Sequence, residues 1–245
     1  HGDGTLSSKP PTDETQTTYR FDPSDPVPSI GGNVSSLSAL DSLPSGIADP
    51  AYVPRSARIH NVMEPGGFDQ VESPRFYGCK PPYLPLGSRR DILVFQSAPL
   101  ETDMEITGPI EVKLWVSSSA PDTDFTAKLI DVYPPNRWYP NGYALNLTDS
   151  ILRMRYRNGP EQQDFLPPGE IDQITITLYP TSNVFSAGHS IRLDISSSNF
   201  PRFDVNPNTG DPICTERRRQ GADNTVYHGP DRASHIILPI IPLEA

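Results

Sequence analysis

Proline sets the first limit on this chain. It supplies 29 of 245 residues, about 12% and roughly twice the usual share. Each proline fixes φ, removes a backbone donor and biases the residue before it toward extended geometry. A chain so interrupted cannot be mostly helical. Disorder is the competing reading, because many prolines and low hydrophobicity mark chains unable to bury a core. The apolar fraction is only 35% and the mean hydropathy −0.46. Against disorder, charged residues are only 20%, and 10 Tyr, 9 Phe and 2 Trp supply bulky core material. A loop-rich, all-β globular protein remains, of a length ordinary for one large sandwich or barrel with an extension.

The prolines crowd the first ninety residues, at Pro10-Pro11, Asp22-Pro23, Asp25-Pro26, Val27-Pro28, Leu43-Pro44, Asp49-Pro50 and Val53-Pro54. Gly31-Gly32 and Gly66-Gly67 mark sharp turns or close backbone approaches. So long a stretch without regular periodicity rarely stands as a free loop. Residues 1–90 are therefore expected to form a linker and wrap that drapes over something larger. From about Asp91 the pattern changes to period two. Ile110, Val112, Leu114 and Val116 fall at every second position, as do Ile174, Ile176 and Leu178, and again Ile191, Leu193 and Ile195. Successive side chains on a strand point to opposite faces, so each set buries together. Leu152, Met154 and Tyr156 alternate with Arg153, Arg155 and Arg157, which predicts an apolar face backed by a guanidinium face. Ile92–Gln96, Phe125–Tyr133 and His235–Ile241 are further expected strands, the last apolar enough to be covered on both sides. Turn clusters separate them, so residues 91–242 are expected to fold as an antiparallel β-sandwich of jelly-roll form. Leu243-Glu244-Ala245 has the look of a cloning remnant, and with no initiator Met before His1 the chain reads as a processed piece lacking any native targeting signal.

The net charge of −10 and pI near 4.9 repel phosphate backbones, so no nucleic-acid partner is expected. Arg217-Arg218-Arg219 reads as a solvated loop. No apolar run approaches the about 20 residues of a membrane helix. Cys79 and Cys214 are too few for a disulfide framework, and their pairing stays open. Neither metal nor cofactor is expected. Asp122-Thr123-Asp124 places two carboxylates where calcium could bind, but an Asx motif on turn amides is the favoured reading. The serine-hydrolase elbow G-x-S-x-G is absent from the sequence, and Gly188-His189-Ser190 has the wrong spacing. Of the five histidines, His235 is expected to be satisfied and partly buried before its strand, and His189 to make a structural hydrogen bond; His1 and His60 carry no further signal. A β-sandwich hydrolase using His189 or His228 is one alternative, and a carbohydrate-binding jelly roll with Trp138 and Tyr139 exposed is another. Asn33-Val34-Ser35 and Asn146-Leu147-Thr148 are glycosylation sequons that matter only in a secretory pathway. The segment Ser196–Gly210 crowds Asn199, Phe200, Phe203 and Asp204 behind a strand, which fits a structural clamp and a ligand-contact loop equally well.

At that loop the sequence resembles a known family. Gly188-His189-Ser190-Ile191-Arg192-Leu193 running into Ser196–Asp204 and Asn208-Thr209-Gly210 is similar to the C-terminal domain of the X-Pro dipeptidyl-peptidase and cocaine esterase family of serine hydrolases. Asp91–Phe95 with Ser97–Leu100, Val116–Leu129 with its Asp122 and Asp124, Leu147–Arg157 and Ser234–Ile240 resemble further blocks in the same order. Tyr19–Pro28 followed by Gly31-Gly32 resembles the linker leaving the catalytic domain. The resemblance implies a galactose-binding-domain-like jelly roll that carries no catalytic residue. The triad would lie in an N-terminal α/β-hydrolase domain, accompanied by a helical cap, and both would be partners of this domain in the parent. The parent would hydrolyse X-Pro peptides or acyl esters and amides, with oligomers open. By position, Asn33 and Val34 would reach the acyl pocket, although Asn33–Asp69 is longer and richer in Ser and Pro than the family pattern, and Pro134–Gly142 carries a bulky insertion.

Overall fold

The structure, a computed structural model, describes residues 4–33, 38–40, 59–61, 63–213 and 218–242. Its strands in chain order are β1 (Gly4–Thr5), β2 (Gln16–Phe21), β3 (Ser38–Leu40), β4 (Ile59–Asn61), β5 (Leu93–Gln96), β6 (Met104–Ser118) and β7 (Asp124–Tyr133). They continue with β8 (Tyr143–Arg153), β9 (Asp172–Phe185), β10 (Ser190–Ser196), β11 (Ala222–Tyr227), β12 (His235–Ile237) and β13 (Ile240–Ile241). Among the described residues helix is confined to short 3-10 turns, as the proline content requires.

Two sheets form a sandwich. One has the order β1-β5-β10-β7-β8, and the other runs β12-β6-β11-β2 with β9 and β13 also paired to β6. Antiparallel pairing dominates, and β1 alone of these strands joins in parallel, on β5. The period-two residues meet between the sheets: Ile110, Val112, Leu114 and Val116 of β6 and Ile174, Ile176 and Leu178 of β9 face Phe125, Ala127 and Leu129 of β7 and Leu193 of β10. The all-β sandwich expected from the alternation is therefore what the chain forms. β2 comes from the proline-rich first ninety residues, pairs with β11, and adds Tyr19 and Phe21 to the same core.

Two strand expectations need correction. β8 ends at Arg153, and Met154–Tyr156 is a 3-10 turn rather than a continued strand. The turn breaks the alternation, so Arg155 points inward and becomes the largest of the fully buried side chains. His235–Ile241 is two short strands on β6 with Ile237, Ile240 and Ile241 exposed, not one strand covered on both sides. Pro239 interrupts it and removes the ladder donor a continuous strand needs.

The outer face of the five-stranded sheet is covered. β7 is buried on both sides over most of its length. Residues 22–33 and 63–92 lie across it and form a second core, in which Val27, Ile30 and Leu86 pack on Ile92 and Val94 with Phe68 and Phe76 alongside. Gly32 and Gly66 exchange backbone hydrogen bonds of 2.8 and 2.9 Å, and beyond them β3 pairs antiparallel with β4. Ile30 is wholly buried, so Ile30→Ala is expected to cost about 2–5 kcal/mol, read as a lower urea midpoint at unchanged m-value. A loss below about 0.5 kcal/mol would show that the covering segment does not unfold with the sandwich.

Candidate functional site

The family-signature residues fall into separate clusters. The first surrounds the start of β7. Asp122 Oδ1 accepts from the Arg155 backbone amide at 3.0 Å, and its Oδ2 accepts from Arg155 Nε and from Asn206 Nδ2, both at 2.8 Å. Asp124 accepts from Arg153 Nε and Nη2 at 2.9 and 3.0 Å, and from Asn206 Nδ2 at 2.8 Å. Both carboxylates are buried. Guanidinium groups supply three of these six hydrogen bonds, the Asn206 amide two and the amide of the 3-10 turn one, and among the described residues no group of His, Cys, Asp and Glu is arranged to hold a metal. Arg155 spends a further donor on the Asp211 carbonyl. Burying this cation is tolerable only because its carboxylate is there. Asp204 is exposed and adds negative field at Arg153.

His189 lies elsewhere, at the start of β10. Its Nδ1 is 2.8 Å from Asp131 Oδ1, and its ring centroid lies 4.2 Å from that of Tyr133. Asp131 is almost fully buried, and burial pushes its carboxyl pKa up against the opposing pull of His189. The pair has the form of two-thirds of a triad, but among the described residues no hydroxyl is hydrogen-bonded to the ring. His228 is held by Thr15 and Thr17, whose Oγ1 atoms lie 2.6 and 2.9 Å from Nδ1 and Nε2. His235 bonds the Ala233 carbonyl and is exposed, not partly buried. The side chain of His60, and His1, Val34 and Cys214, lie outside the described residues, as does Arg217 of the basic cluster. Cys79 is a free thiol of intermediate exposure. Asn146, in its sequon, is buried in β8 and accepts from the Phe68 amide, so the folded chain offers no attachment point there. Trp138 is 74% exposed, yet the Arg137 guanidinium lies 4.5 Å over its ring, covering a face that a sugar would stack on.

The third cluster joins the Gly31-Gly32 turn to the segment after β10. Gly31 has φ +66°, and a Cβ there would come within 2.4 Å of the Gly66 carbonyl; Gly32 has φ +133°, and a Cβ would meet Arg202 at 2.7 Å. Only glycine permits either approach. Ser29 accepts from the Arg202 amide at 3.3 Å and donates to Asn199 Oδ1 at 2.8 Å. Asn199 Nδ2 donates to Asp149 Oδ2 at 2.9 Å. Asp149 pairs with Arg202, and Arg202 Nη2 donates to Asn33 Oδ1 at 2.9 Å. Phe200 locks the same segment to 22–33 through its amide to Val27 and its carbonyl from Ser29, at 2.9 and 2.7 Å. The ring holds the turn on both sides and leaves Asn33 exposed. Asn33, Asn199 and Phe200 are thus brought together, while Asp122, Asp124 and His189 are not part of this site. Ser29, Asp149 and Arg202 went unassigned from sequence, although Arg202 sits inside the crowded Ser196–Gly210 segment.

Beneath this ring, Lys128 donates to Gln70 at 2.7 Å. Burial lowers its ammonium pKa below the ordinary lysine value, opposed by Asp149 and Asp194. A cavity of about 20 Å³ is lined by Lys128, Asp149, Asp194, Ser196 and Asn199 together with Val27 and Leu86. That is room for one water.

Residues 1–237 match the family described as the X-Pro dipeptidyl-peptidase C-terminal non-catalytic domain. The cocaine esterase of Rhodococcus sp. (strain MB1 Bresler) is 38% identical over 242 residues, 98% of this chain and 35% of that protein. An aminopeptidase from the marine sediment archaeon Thaumarchaeota archaeon superposes with a TM-score of 0.73 at 26% identity, covering 99% of this chain and 36% of that one. An α-amino acid ester hydrolase labelled with selenomethionine gives 0.71 at 28% identity, covering 98% and 35%. The chain therefore spans 35–36% of the length of these relatives.

Asp122→Ala strands a buried guanidinium, and is expected to lower stability by about 3–5 kcal/mol. EDTA is expected to leave the melting temperature unmoved, and a chelator-induced fall would assign the carboxylates to a metal instead. Burial holds the His228 ring below its ordinary pKa of 6.5. The unfolded chain then binds its proton first, so the contribution of His228 is full above that value and is lost as pH falls through it. Melting curves between pH 8 and 5 should show wild type losing ground against His228→Gln; parallel curves would refute the shift.

Proposed function

The chain belongs to the family of X-Pro dipeptidyl-peptidase C-terminal non-catalytic domains, and from that premise we propose that it packs on the α/β-hydrolase domain of a larger serine hydrolase and helps shape its acyl pocket. The parent polypeptide hydrolyses acyl esters, amides or X-Pro peptides. Its triad lies outside this chain, which is inactive alone.

The observation that carries this reading is the clamped Gly31-Gly32 turn with Asn33 presented at its tip. Asn33 and Val34 hold the positions that the resemblance assigns to the pocket. A pocket wall supplied by a separate domain works only if its backbone is fixed before substrate arrives, because small misplacements at a reacting centre are costly. Two hydrogen bonds to Gly66 and a buried polar ring supply that fixity. The cocaine esterase and α-amino acid ester hydrolase relatives favour acyl substrates over a binding-only role.

The 245-residue chain is expected to show no serine-dependent turnover of p-nitrophenyl esters or X-Pro anilides, whereas the full-length protein hydrolyses at least one of them and loses activity to a serine-directed phosphonate. Turnover by the isolated chain close to that of a full-length relative would overturn the proposal, as would an inert full-length protein.

A further inference from the structure

We infer that Arg202 is a positioning residue that sets how Asn33 is presented to the substrate pocket. The inference rests on the pocket reading above and adds the group that governs it.

Arg202 is nearly buried, with its side chain 5% exposed and that of its partner Asp149 3% exposed. A cation so placed normally spends its donors on interior acceptors, as Arg155 does on Asp122 and the Asp211 carbonyl. Arg202 does otherwise. One nitrogen pairs with Asp149, and the other reaches outward to Oδ1 of an exposed side chain, Asn33. The guanidinium carbon also lies over the rings of Tyr179 and Phe203, 5.5 and 5.2 Å from their centroids. Its own amide is tied to Ser29, on the other side of the glycine pair from Asn33.

The orientation of Asn33 is therefore set from within the sandwich. Asp149 is a residue of β8, so the register of that strand fixes the carboxylate, the carboxylate fixes the guanidinium, and the guanidinium fixes the amide at the tip. A planar fork can hold two acceptors in a set relation. A lysine ammonium, a point charge on a flexible stem, cannot. The close approach of Gly32 to Arg202 belongs to the same device, since any Cβ at that position would push the guanidinium off line. If the contact served stability alone, Asn33 would have no need to stand in solvent where its hydrogen bond competes with water.

The test uses the full-length hydrolase and two p-nitrophenyl esters, acetate and benzoate, which differ in acyl size. Arg202→Lys, Asn33→Ala and the double variant are compared with wild type, and folding is checked by near-UV circular dichroism. Arg202→Lys is expected to change the benzoate-to-acetate ratio of kcat/KM by about tenfold, the worth of one charge-assisted hydrogen bond. That change should be carried by KM. Asn33→Ala should shift the ratio in the same direction, and the double variant should go no further than the larger single effect, as expected of residues acting through one contact. A shift with Asn33→Ala but none with Arg202→Lys would leave the pocket reading standing and overturn the role of Arg202. Additive shifts would overturn it as well. No shift in any variant would overturn both.

Discussion

A sheet covered on its outer face must match the charges on that face almost entirely with protein groups, because an unpaired buried charge costs far more than packing returns. The five-stranded sheet is under that constraint. Its outward positions carry Lys128 on β7, Arg192 and Asp194 on β10, and Asp149 on β8. Each is matched at short range. Arg192 holds Asp194 through two hydrogen bonds of 2.7 Å, Lys128 reaches Gln70, and Asp149 takes Arg202 and Asn199. Several of the matching groups come from segments outside the sheet, so the covering chain is specified by charge as well as by its apolar contacts. Arg89 bridges the two, with Asp91 at its root and Asp25 at its edge.

Two kinds of order thus share one domain. The inner core between the sheets is apolar and directionless, and tolerates repacking at conserved volume. The outer layer is polar and directional, and each bond in it fixes an angle as well as a distance. The Gly31-Gly32 turn and Asn33 lie on the second kind, at the boundary with solvent. In this non-catalytic domain the outer layer is where the chain holds a backbone still.

Much of the sandwich was readable from alternation alone, since Ile110, Val112, Leu114 and Val116 can bury together only on a strand. The same rule misplaced Arg155. Alternation cannot register the point where a strand stops, and a buried arginine is legible only when its carboxylate is known to lie opposite; Asp122 is 33 residues away in sequence. The strand Gln16–Phe21 was hidden by its proline-rich surroundings, although Tyr19 and Phe21 alternate as core residues do. At the site, Gly31-Gly32 and the Ser196–Gly210 segment were visible as unusual chain. Their union was not, because long-range pairing such as Arg202 with Asn33 leaves no local trace.

The paired backbone bonds between Gly32 and Gly66 have a consequence for how such chains diverge. They close a neck, and the entropy of closing it grows only with the logarithm of the length enclosed, about 0.6 kcal/mol for each doubling. Added chain length between the Asn33 contact and Gly66 is therefore expected to cost the sandwich little, provided the two glycines remain. Length can change there while the strands and the segments that cover them keep their register.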